Sequence, residues 1–384
     1  MELSQYSTTM PKKVFAGTNA IEKLAELCPG HKKALILCGR SVYGGGMTRR
    51  PEEILGVCGV EYKLINTIPA EPLVDDVDAV IAQAQEWQPD LVIGMGGGSV
   101  MDTAKLVSAC PQKGQSARRL LDDFSLVVKG AETVMIPTTA GSGSEATPNA
   151  IVTVPEKELK VGIVNSLLIA DNVILDPSTT ATLPRKIAAS AGVDALAHTI
   201  ECYTSNKANA FSDTWAMKGM KLIFKSIEAA CNDNDEQARA DMLVGAFYGG
   251  VAIAASGTTA VHALSYPLGG KYHVPHGVSN AMLLYPVMNF NKDAVQDRLA
   301  EIYDEVFGGG CAFSSGHKAE LVIAEISRIV RSLDIPDKLE AYVTGAKDEL
   351  DTLVDSTFEV KRLLNNNVKP LTKEDIRNIY LTLI

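Results

Sequence analysis

Asp90-Leu91-Val92-Ile93-Gly94-Met95-Gly96-Gly97-Gly98-Ser99-Val100-Met101-Asp102-Thr103-Ala104-Lys105 reads as a buried strand that passes through glycines into a helix. Glycines let a backbone come close to a phosphate, and the N-terminus of the following helix offers free N–H groups and a favourable dipole. Ser99 can cap that helix or bond a phosphate oxygen. The run is not G-x-G-x-x-G, because its sixth position is Ser99, and no Gly-Lys-Ser/Thr closes it as a Walker loop. On its own it is equally well explained as a tight strand–helix turn. A second polar loop follows a later strand: Pro137-Thr138-Thr139-Ala140-Gly141-Ser142-Gly143-Ser144-Glu145. A helix cap would use one or two of its hydroxyls and leave the others without work. Two such loops in one half of the chain point to a dinucleotide.

Outward from this loop, short β-rich runs alternate with helical patterns. Residues 33–38, 62–65, 133–136 and 173–176 read as further strands. Residues 74–87 have helical periodicity, with Val77, Val80, Ile81 and Ala84 on one face. Gly39-Arg40-Ser41 is a turn after the first of these strands, and Gly44-Gly45-Gly46 is a break. The alternation predicts a parallel sheet covered on both faces, with ligands at the carboxyl ends of its strands. After Asp176-Pro177 helix formers take over, with amphipathic stretches near 186–203, 211–231, 235–256, 294–307, 317–333 and 346–355. The predicted organisation is an α/β domain over 1–183 and an all-helical domain over 184–384. With no repeat or low-complexity linker between them, the halves are expected to pack together and form a cleft.

A second informative stretch is 192–277, which holds four of the six histidines. Asp194 and His198 are four apart and share a helix face. His262 and His276 are separated by Pro267, Gly269, Gly270 and Pro275, a composition that predicts a chain leaving one helix and bringing a second imidazole back. Asp194 with three imidazoles suits a divalent first-row metal such as Fe or Zn. Each of these residues singly is more often a cap or a satisfied core side chain; their shared spacing is what favours a site. For His273 an alternating ligand, a proton relay and a plain polar contact are all open. His31 and His317 read as solvated surface residues.

Composition narrows the partners. The 384 residues are 46% hydrophobic and 21% charged with net charge −10, which fits a globular chain and repels nucleic acid and anionic membranes. The seven cysteines are scattered, without C-x-x-C spacing, and read as buried thiols in a reducing compartment. Residues 1–5 lack a signal-peptide pattern, and no run of about 18 uncharged apolar residues suggests a membrane span. The expectation is a cytoplasmic protein acting on a small molecule.

These motifs, in this order, resemble those of the iron-containing (group III) alcohol dehydrogenases, within a superfamily that includes glycerol dehydrogenase and dehydroquinate synthase. The resemblance spans nearly the whole chain, from residues 96–102 and 137–145 to residues 192–198 and 262–277. It implies a Rossmann-like N-terminal domain, a helical C-terminal domain and a metal, Fe2+ before Zn2+, held by Asp194, His198, His262 and His276. Gly96, Gly97, Gly98, Ser99 and Asp102 would hold the pyrophosphate and neighbouring groups. Thr138, Thr139 and Ser142 would line the adenine and ribose side, and Lys160 would approach the nicotinamide ribose. The residues near 14–17 resemble the segment that pairs between subunits, which implies a homodimer or larger homo-oligomer.

Two positions depart from the family pattern. Tyr266 stands where many members have a histidine credited with proton handling, so Tyr266 or His273 is the candidate relay. Gly39 stands where NAD-preferring relatives often carry Asp; with Arg40-Ser41 beside it, the balance tips slightly from NAD to NADP. The implied function is reversible hydride transfer between a small alcohol and its aldehyde or ketone, in a pocket near Phe247, Val251 and Tyr266. A dehydroquinate synthase-type lyase, a metal-dependent hydrolase and a non-catalytic nucleotide sensor are the rivals. The lyase needs a strongly basic pocket, and the metal segment offers only Lys271. The hydrolase leaves both nucleotide loops without work, and the sensor does not need four convergent ligands.

Overall fold

The computed structural model describes residues 5–157, 159–309, 312–343 and 345–384. Cys311 and the first four of residues 1–5 lie outside these. The chain divides into two compact units, Thr9–Leu183 and Met1–Thr8 with Pro184–Ile384.

The first unit is built on six parallel strands: β1 (Lys13–Ala16), β2 (Lys33–Leu37), β3 (Glu61–Ile65), β4 (Leu91–Gly96), β5 (Glu132–Pro137) and β8 (Asn172–Leu175), in the order β1-β8-β5-β4-β2-β3. Helices α1 (Arg40–Gly44), α2 (Arg49–Val57), α3 (Val74–Trp87), α4 (Gly98–Ala109) and α5 (Ala117–Asp122) connect them. Val74, Val77, Val80, Ile81 and Ala84 form the buried stripe of α3, the face its periodicity predicts. β4 is central and buried at every position, as its unbroken apolar run requires. Its last residue, Gly96, pairs with Pro137 at the end of β5, and Thr138 N–H donates to Gly96 O at 2.9 Å. Register alone therefore places the two polar loops side by side at the carboxyl end of the sheet.

An antiparallel pair, β6 (Asn149–Val154) and β7 (Leu159–Val164), is an addition to the expected architecture. The β-branched run Ile151-Val152-Thr153-Val154 carries its signal.

Behind the loops lies a buried polar cluster. Lys105 is 2% exposed, and its ammonium reaches Asp102 Oδ1 (3.3 Å), Thr147 Oγ1 (3.2 Å) and Asn149 O (2.7 Å). Asp102 also accepts from Ser144 Oγ (2.5 Å) and from Ile151 N–H (2.9 Å). Glu145 is 1% exposed, its Oε1 has no hydrogen-bond partner, and burial pushes its carboxyl up from 4.5 to about 7 against the pull of Lys105. A carboxyl raised by folding stays protonated in the native chain while the unfolded chain ionises, so stability falls as pH rises from 4.5 to about 7 and is level above. Chemical denaturation of Glu145→Gln at pH 5 and pH 8 should show a change smaller than wild type by roughly 2.5 kcal/mol. Equal pH slopes in the two proteins would contradict a neutral Glu145.

The second unit is helical: α6 (Arg185–Thr204), α7 (Ala210–Asn232), α8 (Glu236–Ser256), α9 (Ala260–Tyr272), α10 (His276–Asn291), α11 (Gln296–Phe307), α12 (Ser315–Ser332), α13 (Leu350–Phe358), α14 (Lys361–Leu364) and α15 (Lys373–Leu381). Helix α8 is long and apolar enough to cross a membrane by length and composition, yet 61% of that stretch is buried against its neighbours, as in a core helix. The break expected between His262 and His276 is shorter than its composition suggests. α9 runs through Pro267, Gly269 and Gly270 and stops at Tyr272, so the turn is confined to His273-Val274-Pro275. A helix-interior proline costs one backbone bond and a clash; burial of every residue from Ala260 to Gly270 outweighs it here.

The six described cysteines are free, and five are buried; Cys58, at the end of α2, is exposed, against the expectation that all are buried. His31 also departs from a simple surface role: its ring is partly buried, 3.4 Å from both Asp90 and Glu132.

Candidate metal centre and nucleotide loops

Helix α6 supplies the first wall of the centre. Asp194 and His198, one turn apart, are both 5% exposed, and His198 Nε2 lies 3.8 Å from Asp194 Oδ1. His262, 3% exposed in the first turn of α9, brings Nε2 within 3.6 Å of the same oxygen. His276 opens α10, with its Nε2 at 3.8 Å. The close approach of α10 to α6 depends on Gly277, where a Cβ would overlap the Ser190 carbonyl. The rings of His198 and His262 stack at 4.6 Å, and His276 meets His262 edge-on at 5.4 Å. The ligand atoms of Asp194, His262 and His276 all lie within 4.8 Å of one another.

Electrostatics favour a cation at this point. Burial alone would raise the Asp194 carboxyl, but His198, His276 and His262 hold it far below the usual carboxylate range. Burial lowers His262, yet Glu201 and Asp194 on its two sides push it up to about 9. One carboxylate and three imidazole nitrogens converging on a buried point are a donor set for a divalent first-row metal, and the residues present fit such an ion.

Two further side chains complete the centre, and neither was singled out in the sequence. Glu201 is fully buried on the Asp194 face of α6, seven residues on, and contacts His262 Nδ1. Asn280, fully buried four residues after His276, turns Nδ2 toward Asp194 Oδ1 (2.7 Å), His262 Nε2 (3.1 Å) and His276 Nε2 (3.2 Å). Their i+7 and i+4 spacings from known candidates were the available signals. Tyr266 is buried on α9 with its ring 6.3 Å from His276. His273 is exposed at the end of α9, in the left-handed region with φ 55°, and is not in the cluster around Asp194.

On the first unit, Gly97 stands before the first turn of α4 with no side-chain cap. Ser99 does not cap that helix; its Oγ accepts from Glu71 N–H at 3.1 Å. A Cβ on Gly98 would sit 3.0 Å from the Ser142 side chain, and one on Gly97 would be 3.4 Å from Thr139 Oγ1. These glycines leave a cradle between the two loops that side chains would fill, beside uncapped N–H groups, which fits a pyrophosphate. Thr138 is buried at the end of β5, and Asp102 braces the second loop from behind through Ser144. Lys160 pairs with Glu71 at 2.7 Å. Gly39 precedes α1, and Arg40 is exposed in its first turn.

Comparison with known proteins gives these two sites a common context. Residues 11–177 match the family model for iron-containing alcohol dehydrogenase, and residues 188–384 match the C-terminal model of the Fe-containing alcohol dehydrogenase family. The chain belongs to the iron-containing alcohol dehydrogenase family. The chain is 33% identical to long-chain-alcohol dehydrogenase 1 of Geobacillus thermodenitrificans, over 91% of this chain and 89% of that one. It is 32% identical to 4-hydroxybutyrate dehydrogenase of Clostridium kluyveri, over 81% and 83%. The solved structure of an alcohol dehydrogenase from Oenococcus oeni superposes with a TM-score of 0.93 at 28% identity, covering 99% of this chain and 100% of that one. The resemblance read from the motifs is borne out, as is the fold of a parallel α/β unit followed by a helical one. Membership makes the protein an oxidoreductase acting on CH–OH donors, a metal-dependent and NAD(P)-dependent alcohol dehydrogenase.

Proposed function

We propose that this iron-type dehydrogenase interconverts small aliphatic alcohols and their aldehydes or ketones, with Fe2+ held by Asp194, His198, His262 and His276. The convergence of three imidazoles on Asp194 Oδ1 carries this reading. Zn2+ has the same donor preferences and is the alternative ion. When bound, the cation supplies Lewis-acid polarisation of the substrate C–O bond, and the nicotinamide takes or returns the hydride. Asp194 contributes the only formal negative charge among the four ligands, and the imidazoles fix its carboxylate in place. Burial of Asp194, His198 and His262 keeps their polar groups in a dry surround, where their fields are strong, while His276 is partly exposed. Tyr266 is the residue assigned to handle the hydroxyl proton, with His273 passing it to solvent.

On this reading Thr9–Leu183 binds the dinucleotide through Gly96, Gly97, Gly98, Ser99, Thr138, Thr139 and Ser142, and Pro184–Ile384 binds metal and substrate. Asp102 and Lys160 serve the nucleotide site through their partners Ser144 and Glu71. Of the relatives, one is named for a long-chain alcohol and one for 4-hydroxybutyrate. The one lysine or arginine between His262 and His276 is Lys271, which pairs with Glu349 at 2.9 Å. No cation is offered there to a carboxylate or phosphate, which favours an uncharged alcohol and disfavours the dehydroquinate synthase-type reaction. The hydrolase alternative leaves the glycine cradle unused. The buried Phe247 and Val251 on α8 suit an apolar substrate tail. Reduced-nicotinamide absorbance across a panel of alcohols and aldehydes, with chelated and Fe2+- or Zn2+-loaded enzyme, tests the proposal. Full turnover after chelation would reject it.

NADP is favoured over NAD because Gly39 presents no carboxylate to a 2′-phosphate and Arg40 is exposed beside it. Gly39→Asp should shift the NADP/NAD ratio of kcat/KM by at least about tenfold toward NAD. The new Cβ would lie 3.3 Å from Ile68 O, so the backbone must give slightly. An unchanged ratio would place the 2′-phosphate elsewhere. A homodimer is proposed through β1, whose one strand partner among the described residues is β8 and whose Val14 is 40% exposed. A cytoplasmic location is proposed because all the described thiols are unpaired.

A further inference from the structure

Glu201 lies on the same face of α6 as Asp194 and His198 and is fully buried. Its Oε1 accepts from Thr259 N–H (3.1 Å), Thr259 Oγ1 (2.6 Å) and Val261 N–H (2.8 Å). Three donors on one oxygen stop the carboxylate from turning, so Oε2 is held against His262 Nδ1. A carboxylate only accepts, and Nδ1 must therefore carry a proton. In the neutral ring Nε2 is then a bare lone pair. The other side of the ring agrees: Asn280 presents its amide nitrogen to Nε2 at 3.1 Å, while its Oδ1 is the atom left without a partner. An amide donor is the partner a bare ring nitrogen requires. Turning the amide over would instead point its oxygen at Asp194 Oδ1.

We propose that Glu201 is a positioning residue that fixes His262 as the Nδ1–H tautomer and so leaves the Nε2 lone pair free for the cation, the Asn280 amide occupying that lone pair in the metal-free site. This rests on the proposed metal site. Glu201 also ties the start of α9 to α6 through Thr259 and Val261, so the residue that sets the tautomer sets the ring's position as well.

Glu201→Gln separates these two duties. Its amide oxygen can keep the three donors of Thr259 and Val261, which places the amide NH2 against Nδ1. The ring must then accept at Nδ1 and move its proton to Nε2, the atom a cation needs. Zn2+ dissociation constants of wild type and variant, measured by chelator competition, should differ by about 10- to 100-fold. NADPH binding and the melting temperature of the metal-free chain should stay close to wild type. Long-range nitrogen–proton spectra of histidine-labelled, metal-free protein, recorded above about pH 9 where the His262 ring is neutral, should show its tautomer reversed. Should Glu201→Gln fail to fold, Thr259→Val removes one donor from Oε1 and should weaken Zn2+ several-fold. Zn2+ affinity within twofold of wild type in the folded variant, or in Thr259→Val if that one is used, would overturn the proposal. A wild type that binds no Zn2+ or Fe2+ would instead overturn the metal site beneath it.

Discussion

Asp194→Asn is expected to purify with only traces of metal and to lose activity on the order of 1000-fold in kcat/KM, while NAD(P)H binds as in wild type. The substitution keeps shape and volume, so packing of α6 in its buried surround is retained. It removes the only formal charge among the four proposed ligands. A divalent ion would face four neutral donors, and the three imidazoles now converging on Asp194 Oδ1 would lose their common partner. Several kcal/mol of polarisation are at stake, and each 1.36 kcal/mol is tenfold in rate. Metal analysis of the purified variant, fluorescence titration with NADPH and steady-state kinetics check the three parts separately. Wild-type activity with wild-type metal content would remove Asp194 from the centre.

Lys105→Met should destabilise the protein by about 3–5 kcal/mol, the usual cost of leaving a buried charge without its partner. The ammonium is fully enclosed, and burial lowers its pKa against the pull of Asp102. Methionine fills much of the same volume but offers nothing to Asp102, Thr147 Oγ1 or the Asn149 carbonyl. Asp102 retains Ser144 and Ile151 N–H, so the loop is weakened and not released. The melting temperature should fall by on the order of 10 °C. NAD(P)H affinity should fall too, because the 137–145 loop loses part of its brace, while metal content is unchanged. A melting temperature within 2–3 °C of wild type, the scale of about 1 kcal/mol, would mean that Lys105 carries no charge worth pairing in the native chain.

The parallel sheet was legible because β2, β4, β5 and β8 are short apolar runs closed by glycine, proline or aspartate, and burial at nearly every position requires that pattern. The candidate metal cluster was legible because Asp194 and His198 share a helix face and histidines are few. Pro267 and Gly269-Gly270 misled, since local propensity marks a break there and tertiary burial of α9 overrides it. Glu201, Asn280 and Lys105 were not legible. Each acts through partners far along the chain: His262 is 61 residues from Glu201, Asp194 is 86 from Asn280, and Thr147 is 42 from Lys105. A charged or amide residue on a helix reads as solvated until packing shows what it faces.

Metal reconstitution tests the central claim most directly. The enzyme is stripped with chelator under anaerobic conditions, titrated with Fe2+ and, separately, Zn2+, and assayed for alcohol oxidation with bound metal measured at each step. Activity is expected to rise from near zero in proportion to bound ion and to level off at about one ion per chain, with Asp194→Asn failing to recover. Full turnover by the stripped enzyme, or recovery of Asp194→Asn to the wild-type level, would contradict it.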